Sequence, residues 1–399
     1  MKKIPTILLV LLIASLAGCS PSPPENSCIT TAMHDFSQNL FHEVLATDDQ
    51  NPIISPLSLY YVLAMIMLGA QEDTLSELEA VLGIPRCLLA PELFTHAKSL
   101  FSIMGSTELN LAGSIWLTDE LTINNRFNQN MINYFNAPTF ERNLQESSTV
   151  DEINRWIYGQ TNGHIQNIID DLCRNTIILL VNTLYLNARW ANDFNPMYIK
   201  SDVFHLETGK EIVVPFLTTG IFTSFYSLVT ACYEAVMLPY DDGRLGLFLV
   251  RPTTNITIRD FVAANDLICI LRRLEEPMHL GIPGLGVAVN VPKLNVSYNI
   301  SMNDILKEMG LKSAFDERAN FFDIVEEDVE DVIFISEVAH ATSIKIHVKG
   351  TEAAATTYIL GQRMTTPPPT LTFNTPYVYL IYDSLTSSIL FMGIVDDPS

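Results

Sequence analysis

Segments with the apolar spacing of an α-helix are concentrated in the first half of the chain. Residues 57–68 are apolar on all sides, which predicts a fully buried helix. Ser55 followed by Pro56 predicts the N-terminal cap and first turn of that helix. Residues 150–157 carry apolar side chains at helical spacing and predict an amphipathic helix that ends near Gly163. At least one helix should therefore lie inside the core.

Two further helices are predicted from residues typical of helix ends. Thr74 and Glu77 have the spacing of a capping box, and Gly83 is expected to end that helix. Ser301 is expected to cap a later helix, which Gly310 ends. These local signals define where the two helices begin and end, and they leave open what the helices pack against.

Runs of β-branched and aromatic residues, bounded by turn residues, predict strands in the rest of the chain. Several of these runs are apolar on both faces, which indicates central strands that are covered on each side. The fold class is therefore predicted as α+β, with large sheets and helices packed on them. The predicted strands are residues 177–186, 235–238, 245–250, 332–338, 377–382 and 389–395.

The charge balance excludes one class of partner. The chain has 399 residues, with 23 Lys and Arg against 45 Asp and Glu, and a formal net charge of -22. Nucleic-acid-binding proteins cluster Lys and Arg against the phosphate backbone, so we expect no nucleic-acid partner. No internal repeat or second linker divides the sequence after residue 27. We therefore expect a single domain at residues 28–399, and a monomer.

The N-terminal residues resemble a bacterial lipoprotein signal. Two lysines precede a short apolar stretch at residues 7–16, too short for a stable membrane span, and L-A-G-C follows it. We therefore expect a signal peptide at residues 1–18, a lipid on Cys19, and a tether rich in Pro and Ser at residues 19–27. The protein would then be anchored in the bacterial cell envelope, on the periplasmic side or at the cell surface. A secreted protein without a lipid is the alternative.

Five scattered cysteines follow residue 19, none of them in a C-x-x-C pair. The odd number and wide spacing predict neither a disulfide framework nor a zinc site. Cys173, Cys232 and Cys269 have apolar neighbours in the sequence and are expected to be small buried side chains.

The usual signatures of catalysis are absent from the sequence. It contains no G-x-S-x-G, no H-E-x-x-H, no G-x-x-x-x-G-K-[ST] and no Rossmann glycine run. His34 and His42 lie on one predicted helix but eight residues apart, which is poor spacing for metal ligands. We therefore expect no enzyme activity, no metal and no cofactor.

A segment of small residues near the C-terminus carries the strongest functional signal. It follows an apolar strand, has no periodicity of its own, and resembles the inhibitory hinge of the serpins, a family of protease inhibitors. The exposed reactive loop would then span about residues 349–369. The hinge residues are Gly350, Thr351, Glu352, Ala353, Ala354, Ala355, Thr356 and Thr357.

The resemblance to serpins extends over residues 28–396, with its motifs in the family's order. So many matches in one order make the resemblance specific. The further motifs are N-P-I-I-S-P-L-S at 51–58, T-N-G-H-I at 161–165, L-V-N at 180–182, L-P-Y at 238–240, S-E-V-A-H at 336–340, F-N-T-P-Y at 373–377 and F-M-G at 391–393.

The resemblance implies a mechanism. In inhibitory serpins, a protease attacks the loop as a substrate and forms an acyl-enzyme, and the freed loop then inserts into a sheet and distorts the enzyme. Small hinge residues fit this role, because an entering strand must slip between two neighbours, and proline would remove a ladder hydrogen bond. A non-inhibitory binding protein of the same fold, cleaved without trapping the protease, is the alternative.

The resemblance also assigns residues to the opening of the sheet. Ser55, Ser58, Asn182 and His340 are implied to form a polar cluster where the sheet opens, and Trp190 is implied to pack where insertion starts. One position departs from the family, which usually has Glu at the base of the hinge where this chain has Val348. A local salt bridge of the family is therefore in doubt.

The cleaved bond has two candidate positions. If Gly350 is the fifteenth residue before the bond, as in most inhibitory members, the bond is Met364–Thr365, and a loop shorter by one residue gives Arg363–Met364. Arg363 would suit a trypsin-like serine protease, whereas Met364 would suit elastase-, chymotrypsin- or subtilisin-like enzymes. A cysteine protease is a less frequent target in the family.

Overall fold

A computed structural model describes most of the chain from residue 28 onward. Residues 1–27, which include Cys19, lie outside the described part, as do residues 352–368 with both candidate bonds. In the part of the chain that is described, no helix is long and apolar enough to cross a membrane. The described residues are 28–47, 51–100, 102, 107–165, 169–172, 176–194, 196–219, 224–280, 285–326, 333–348, 350–351 and 369–399.

The helices lie mainly in the first half of the chain, as the apolar spacing predicts. A π-helical segment, Met131–Phe135, directly continues α5, and 3-10 turns lie at Pro196–Tyr198, Ser313–Phe315 and Phe322–Ile324. The α-helices within the described residues are α1 (Cys28–Thr47), α2 (Pro56–Met67), α3 (Glu72–Leu82), α4 (Arg86–Leu100), α5 (Asn125–Asn130), α6 (Ser147–Gln160), α7 (Ile258–Ala264), α8 (Leu267–His279) and α9 (Asn303–Glu308).

Each of the six predicted strands overlaps an observed strand. The strands within the described residues are β1 (Ile53–Ile54), β2 (Glu108–Thr118), β3 (Thr139–Arg142), β4 (Ile178–Arg189), β5 (Lys200–His205), β6 (Glu211–Thr218), β7 (Ser224–Val229), β8 (Tyr233–Pro239), β9 (Leu245–Pro252), β10 (Leu285–Gly286), β11 (Ala288–Pro292), β12 (Leu294–Ser301), β13 (Ile335–His347), β14 (Gly350–Thr351), β15 (Thr370–Thr372), β16 (Tyr377–Asp383) and β17 (Ser388–Val395).

These strands form three sheets. A seven-stranded sheet has the order β1-β17-β16-β9-β8-β7-β10, and a four-stranded sheet has the order β15-β11-β6-β5. The third, which we call the central sheet, has the order β12-β13-β14-β4-β2-β3. The predicted α+β class with large sheets and packed helices is confirmed.

Helix α2 lies inside the core, as its apolar sequence predicts. Ser55 caps the helix by accepting a hydrogen bond from the Ser58 N–H at 3.3 Å, and Pro56 occupies the first turn. All of its residues are buried. The helix contacts the seven-stranded sheet through β17 and the central sheet through β4 and β2, so it ties the two large sheets together.

The two other predicted caps are wrong, because their side chains serve tertiary contacts instead. Helix α3 begins after Gln71 without a side-chain cap, and Thr74 is fully buried inside it. The Thr74 hydroxyl accepts from the Asn320 N–H at 3.0 Å, and the Glu77 carboxylate accepts from the Ser313 N–H at 2.7 Å. Side chains that bond to a distant turn can therefore have the same spacing in the sequence as a capping box.

For the later helix, the predicted N-terminal cap is wrong and the predicted C-terminal end is right. Ser301 is the last residue of β12, and α9 begins after Met302 without a side-chain cap. Gly83 and Gly310, which were expected to end α3 and α9, have φ angles of 67° and 111°. Those left-handed conformations are open mainly to glycine, so both predicted helix ends are confirmed.

Apolar side chains fill both faces of the central sheet. One face packs on the main core with α2, and the other face contributes Leu179, Val181, Ala339 and Ala341 to a second cluster beneath α6. Trp116 is fully buried in this second cluster. Strands β4 and β13 are therefore covered on each side, as the unbroken apolar runs predict.

The expectation that three cysteines are small buried side chains is wrong for two of them. Cys232 is exposed, and it is free, as are Cys28 and Cys87. Cys269 is half-buried and is bonded in a disulfide. The scattered spacing of the cysteines gave no local signal for that bond. Cys173 lies outside the described residues.

Candidate functional site

The central sheet is closed at one end and divided at the other. Strands β13 and β4 pair directly and in parallel from Ile335 opposite Ile178 as far as Thr342 opposite Leu184. Beyond this point, the short strand β14 lies between them. Thr351 pairs with Ile346 on β13 and with Ala188 on β4. The first two hinge residues therefore already lie inside the sheet.

A polar cluster lies where the closed part of the sheet crosses α2. It consists of the four residues that the sequence implied, Ser55, Ser58, Asn182 and His340, and each is at most 1% exposed. Asn182 and His340 are direct partners in the ladder between β4 and β13. The structure thus brings together residues up to 285 positions apart in the sequence.

Hydrogen bonds connect all four members of the polar cluster. The Ser55 N–H donates to His340 Nε2 at 3.0 Å, so Nδ1 carries the imidazole proton and donates to Asn182 Oδ1 at 2.7 Å. The Ser58 hydroxyl lies 2.9 Å from the same Asn182 oxygen. Asn182 Nδ2 donates to the Ala339 carbonyl at 3.3 Å. These contacts hold β4 and β13 together on top of α2.

Burial keeps the His340 imidazole neutral. The histidine lies fully inside the protein, and desolvation lowers its pKa from 6.5 to about 3. Protonation would also place a proton on Nε2, where the Ser55 N–H now donates. A charged His340 is therefore incompatible with the closed sheet on two counts.

Acid is expected to weaken the protein through His340. The folded pKa lies below the unfolded value, so the unfolded chain takes up a proton below pH 6.5 while the folded chain does not until about pH 3. Stability is therefore lost as the pH falls through that window, at about 1.4 kcal/mol per pH unit per proton. Urea denaturation midpoints measured from pH 7 to pH 4.5 should fall steadily.

The variant His340→Gln isolates this contribution. His96, with a pKa lowered to about 4, and His34, also lowered, are both desolvated by burial and act in the same direction. They remain in the variant, so only the difference in slope between the two proteins reports on His340. Equal slopes for the wild type and the variant would contradict the assignment.

Sequence reasoning missed one member of this region, Thr342. Its hydroxyl donates to the Ile53 carbonyl at 2.7 Å, and the residue is 1% exposed. It follows His340 by two positions on β13, so its side chain lies on the same face of the strand. A polar residue on the apolar face of a buried strand is the signal that would have found it.

Trp190 lies next to the divided end of the sheet. It follows Arg189, the partner of Gly350 in the ladder. Its ring stacks on Tyr240 with centroids 4.6 Å apart and meets the edge of Phe194 at 5.6 Å. At 4% exposure the indole is part of the core, and it forms the wall next to the point where β14 enters.

The structure shows the surroundings of Val348, where the family usually has Glu. The Val348 side chain is partly buried against the main core, and its carbonyl accepts from the Phe194 N–H at 2.8 Å. An apolar residue therefore suits this position, and the base of the hinge is fixed through its backbone. The remaining hinge residues, 352–357, and residues 363–365 lie outside the described part of the chain.

Comparison with known proteins defines the class. The sequence profile of the family described as Serpin (serine protease inhibitor) matches residues 31–398. Human neuroserpin is 26% identical, with 98% of this chain and 95% of neuroserpin covered. Mouse serine protease inhibitor A3K is 27% identical, with 91% and 87% covered. The relatives thus span nearly the whole chain.

Solved structures agree with the sequence comparison. The thermophilic serpin tengpin in its native state has a TM-score of 0.84 and 26% identity, over 96% of this chain and 97% of tengpin. Human thyroxine-binding globulin in complex with its ligand has a TM-score of 0.81 and 25% identity, over 93% of this chain and 98% of that protein. The chain belongs to the serpin family, whose members are mostly protease inhibitors rather than enzymes. Because the fold is shared with a thyroxine-binding protein, membership alone does not make this chain an inhibitor.

Proposed function

We propose that this protein is a suicide-substrate inhibitor of a serine endopeptidase, or less often a cysteine endopeptidase. The protease would cleave the loop near Arg363 and Met364, and the freed segment would enter the central sheet while still bonded to the enzyme. The observation that carries the proposal is β14, which lies between β13 and β4, where it would form the first two residues of the entering strand.

The register of β14 predicts how far the strand would extend. Gly350 lies opposite Arg189, and the two strands are antiparallel. Continued at this register, the segment would run from residue 350 to residue 361, which would lie opposite Ile178 at the far end of β4. Both candidate bonds lie beyond that point. Either bond would therefore be carried the full length of the sheet.

Side chains of this segment match the surfaces that they would meet. Residues opposite Ala188, Leu186 and Leu184 share their face, which packs on the main core. By the same register, Tyr358 and Leu360 would lie opposite Val181 and Leu179, in the cluster beneath α6. The core-facing residues would be Thr351, Ala353, Ala355, Thr357, Ile359 and Gly361. Small or apolar side chains would thus fall on the core face, and the largest side chain of the segment, Tyr358, would fall under α6.

Thr357 would take the central position of the inserted strand. Continued from Gly350 and Thr351, the register would set it opposite Asn182 on β4 and opposite His340 on β13. Insertion would move these two strands apart by about 4.8 Å and break the bond between their side chains. A hydroxyl at Thr357 could bond to both partners and so prevent two buried polar groups from losing their hydrogen bonds.

Replacing Thr357 with valine should therefore lower the stability of the loop-cleaved protein and leave the stability of the intact protein unchanged. The substitution keeps the shape and removes the hydroxyl, at an expected cost of about 1 to 3 kcal/mol after insertion. Urea midpoints of the intact and loop-cleaved proteins provide the measurement, with Thr356→Val as the control on the opposite face. An equal effect of both variants on the cleaved form would argue against the register.

Insertion would also supply the driving force for trapping. A strand of roughly a dozen residues, at about 1 kcal/mol net per hydrogen bond, would release on the order of 10 kcal/mol. This is comparable to the stability of an ordinary domain. The intact form is then kinetically trapped, held by a barrier to which the polar cluster at Asn182 and His340 contributes.

A covalent complex is the direct test of inhibition. Purified protein would be incubated with trypsin, elastase, chymotrypsin, subtilisin and a papain-like cysteine protease, and the products separated under denaturing conditions. We expect a complex that survives denaturation with at least one enzyme. Cleavage by every enzyme without any such complex would overturn the proposal.

The cleaved bond can be assigned in the same experiment. Mass spectrometry of the released C-terminal fragment should give a first residue of Thr365 for the Met364 bond, or Met364 for the Arg363 bond. The variant Arg363→Ala should lose the trypsin complex and keep an elastase complex, because Arg363 is the only Lys or Arg in the chain after Lys349. Retention of the trypsin complex by this variant would exclude cleavage after Arg363.

The proposed location is the bacterial cell envelope, with a lipid on Cys19. The support is the lipobox-like L-A-G-C sequence after an apolar stretch at residues 7–16. In a bacterial host, Cys19→Ala should abolish the incorporation of labelled palmitate and release the protein from membranes. Unchanged membrane association would contradict the lipid anchor.

A further inference from the structure

Strand β5 is the edge of the four-stranded sheet, and apolar side chains are exposed beside it. In the order β15-β11-β6-β5, β5 pairs with β6 on one side, and no strand of the described residues covers its other side. Met197 is 76% exposed, Ile199 is 42% exposed and Val213 is 70% exposed. Uncovered edges and clustered exposed apolar side chains are both typical of surfaces that associate with another chain. This edge is therefore a candidate interface.

The register of the β5–β6 hairpin shows which backbone groups point outward. At its end, the Leu206 N–H donates to the Lys210 carbonyl at 2.9 Å, and bonded pairs alternate with unbonded pairs along an antiparallel ladder. The even-numbered residues of β5 therefore bond to β6, whereas its odd-numbered residues direct their N–H and C=O groups to the free edge. The carbonyl of Pro215, which lies opposite Ser201, bonds on the side away from β5, as this alternation requires.

The centre of the free edge has backbone groups available to a further strand. No hydrogen bond within the described residues involves the N–H or carbonyl of Ser201. The Val203 N–H donates to the carboxylate of the preceding Asp202 at 2.9 Å, a local contact that a carbonyl could replace. The His205 N–H already donates to the Asn374 carbonyl at 2.9 Å. The available stretch thus ends before residue 205 and is centred near Ser201.

The charges of β5 favour a second copy of this chain as the partner strand, and they select one register. Lys200 and Asp202 are exposed and form an ion pair at 3.4 Å along the strand. Two antiparallel copies related by an axis at residue 200 or 202 would place like charges directly opposite each other, which is destabilising. With the axis at Ser201, Lys200 of each copy would lie opposite Asp202 of the other. In that register the strand is complementary to itself.

The same register joins the exposed apolar side chains. Ile199 would lie opposite Val203 of the second copy, and Val213 is the direct partner of Val203 in the ladder between β5 and β6. Cross-strand partners share a face of the sheet, so these three side chains of one copy would meet the same three of the other. Charge and apolar surface therefore agree on one arrangement.

We propose that this protein forms a homodimer through β5, with the two-fold axis at Ser201. The two four-stranded sheets would join in the order β15-β11-β6-β5-β5-β6-β11-β15. A two-fold interface uses the same surface on both copies, so association would stop at the dimer. Strand β15 begins at Thr370, where the proposed reactive loop ends, so both loops would adjoin the outer edges of the joined sheet. The dimer does not rest on the proposed inhibitory function, and it would replace the monomer expected from the sequence alone.

Analytical ultracentrifugation of the full-length Cys19→Ala protein, without protease, tests the dimer. The substitution removes the proposed lipid, and a denaturing gel without reductant detects dimers linked through the exposed cysteines. We expect a reversible equilibrium with a dissociation constant of about 10 µM, because a short edge pairing buries a small interface. Ser201→Pro should weaken it at least about tenfold, since proline removes the central N–H and leaves the ladder to β6 intact.

Charge reversal tests the register. Lys200→Asp should weaken the dimer about tenfold, because it places two carboxylates opposite each other at two symmetric positions. Combining Lys200→Asp with Asp202→Lys exchanges the charges and should restore the affinity. Lys210→Asp, on the exposed turn after β5, makes the same change of charge away from the edge. It is the matched control and should leave the affinity unchanged.

The outcomes separate the dimer from other uses of this edge. A chain that stays monomeric up to about 100 µM, or a dimer that Ser201→Pro leaves intact, would overturn the proposal. A dimer that Lys200→Asp weakens and the double variant does not restore would overturn the register. A monomer whose covalent protease complex forms more slowly with Ile199→Lys would assign the surface to the protease instead. If no protease complex forms at all, the proposed inhibitory function fails, and ultracentrifugation still decides whether the dimer exists.

Discussion

Replacing Thr351 with arginine is expected to convert the protein from an inhibitor into a substrate of the same protease. The partner of this residue on β4 is Ala188, which is fully buried in the main core. Direct cross-strand partners direct their side chains to the same face, so an arginine at position 351 would have to bury its charge there. An unpaired buried charge costs about 3 to 5 kcal/mol or more. The intact protein would avoid this cost by keeping position 351 out of the sheet, so that the charge is buried only on insertion. Insertion would then slow, and the acyl-enzyme would hydrolyse first.

The measurement is the number of inhibitor molecules consumed for each protease molecule trapped. We expect this ratio to rise by about tenfold or more, because each kcal/mol on the insertion barrier changes its rate about fivefold. Glu352→Arg is the matched control, since at the register of β14 position 352 would lie opposite Asn187 after insertion and face away from the core. Inhibition that survives Thr351→Arg, or is lost equally with Glu352→Arg, would refute the assigned register.

Cleavage of the loop should greatly raise the thermal stability of the protein. If residues 350–361 fill the space between β13 and β4, on the order of 10 kcal/mol is gained. For a domain of this size, that gain corresponds to a rise of roughly 10 to 20 °C in the denaturation midpoint. Circular dichroism melts before and after limited proteolysis within residues 358–364 provide the comparison.

The same melts distinguish the inhibitor from a non-inhibitory serpin. A cleaved chain that melts at the temperature of the intact one would favour the alternative of a binding protein whose loop does not insert. Cleavage in an exposed turn outside the loop, such as the one at Lys210, should give no rise in either case, which controls for the effect of cutting the chain.

The elements of this fold follow largely from local sequence. The unbroken apolar run of residues 57–68 gave the buried helix α2, and Gly83 and Gly310 marked two helix ends. The predictions that were wrong share a cause. Thr74 and Glu77 resemble a cap in sequence, yet their polar atoms bond to residues more than 200 positions away. A side chain that has two possible partners takes the one that tertiary packing brings near, and spacing alone cannot rank the two.

The candidate site divides in the same way. The small residues 350–357 and the resemblance to serpins are properties of the sequence by itself, as is the list of residues implied to control the sheet. Only the tertiary structure decided that His340 accepts from Ser55, that Asn182 joins β4 to β13, and that Gly350 and Thr351 already lie in the sheet.

The sequence by itself predicted the buried helix α2, six of the strands, and a segment of residues small enough to enter a sheet. The tertiary structure alone decided the register in which Gly350 and Thr351 pair with β4 and β13, and the hydrogen bonds that join Asn182 to His340. The physical reason is the distance along the chain between the residues that interact. Periodicity and chain stiffness are set by neighbours in the sequence, whereas register, burial and the pKa of His340 are set by residues that become neighbours only on folding.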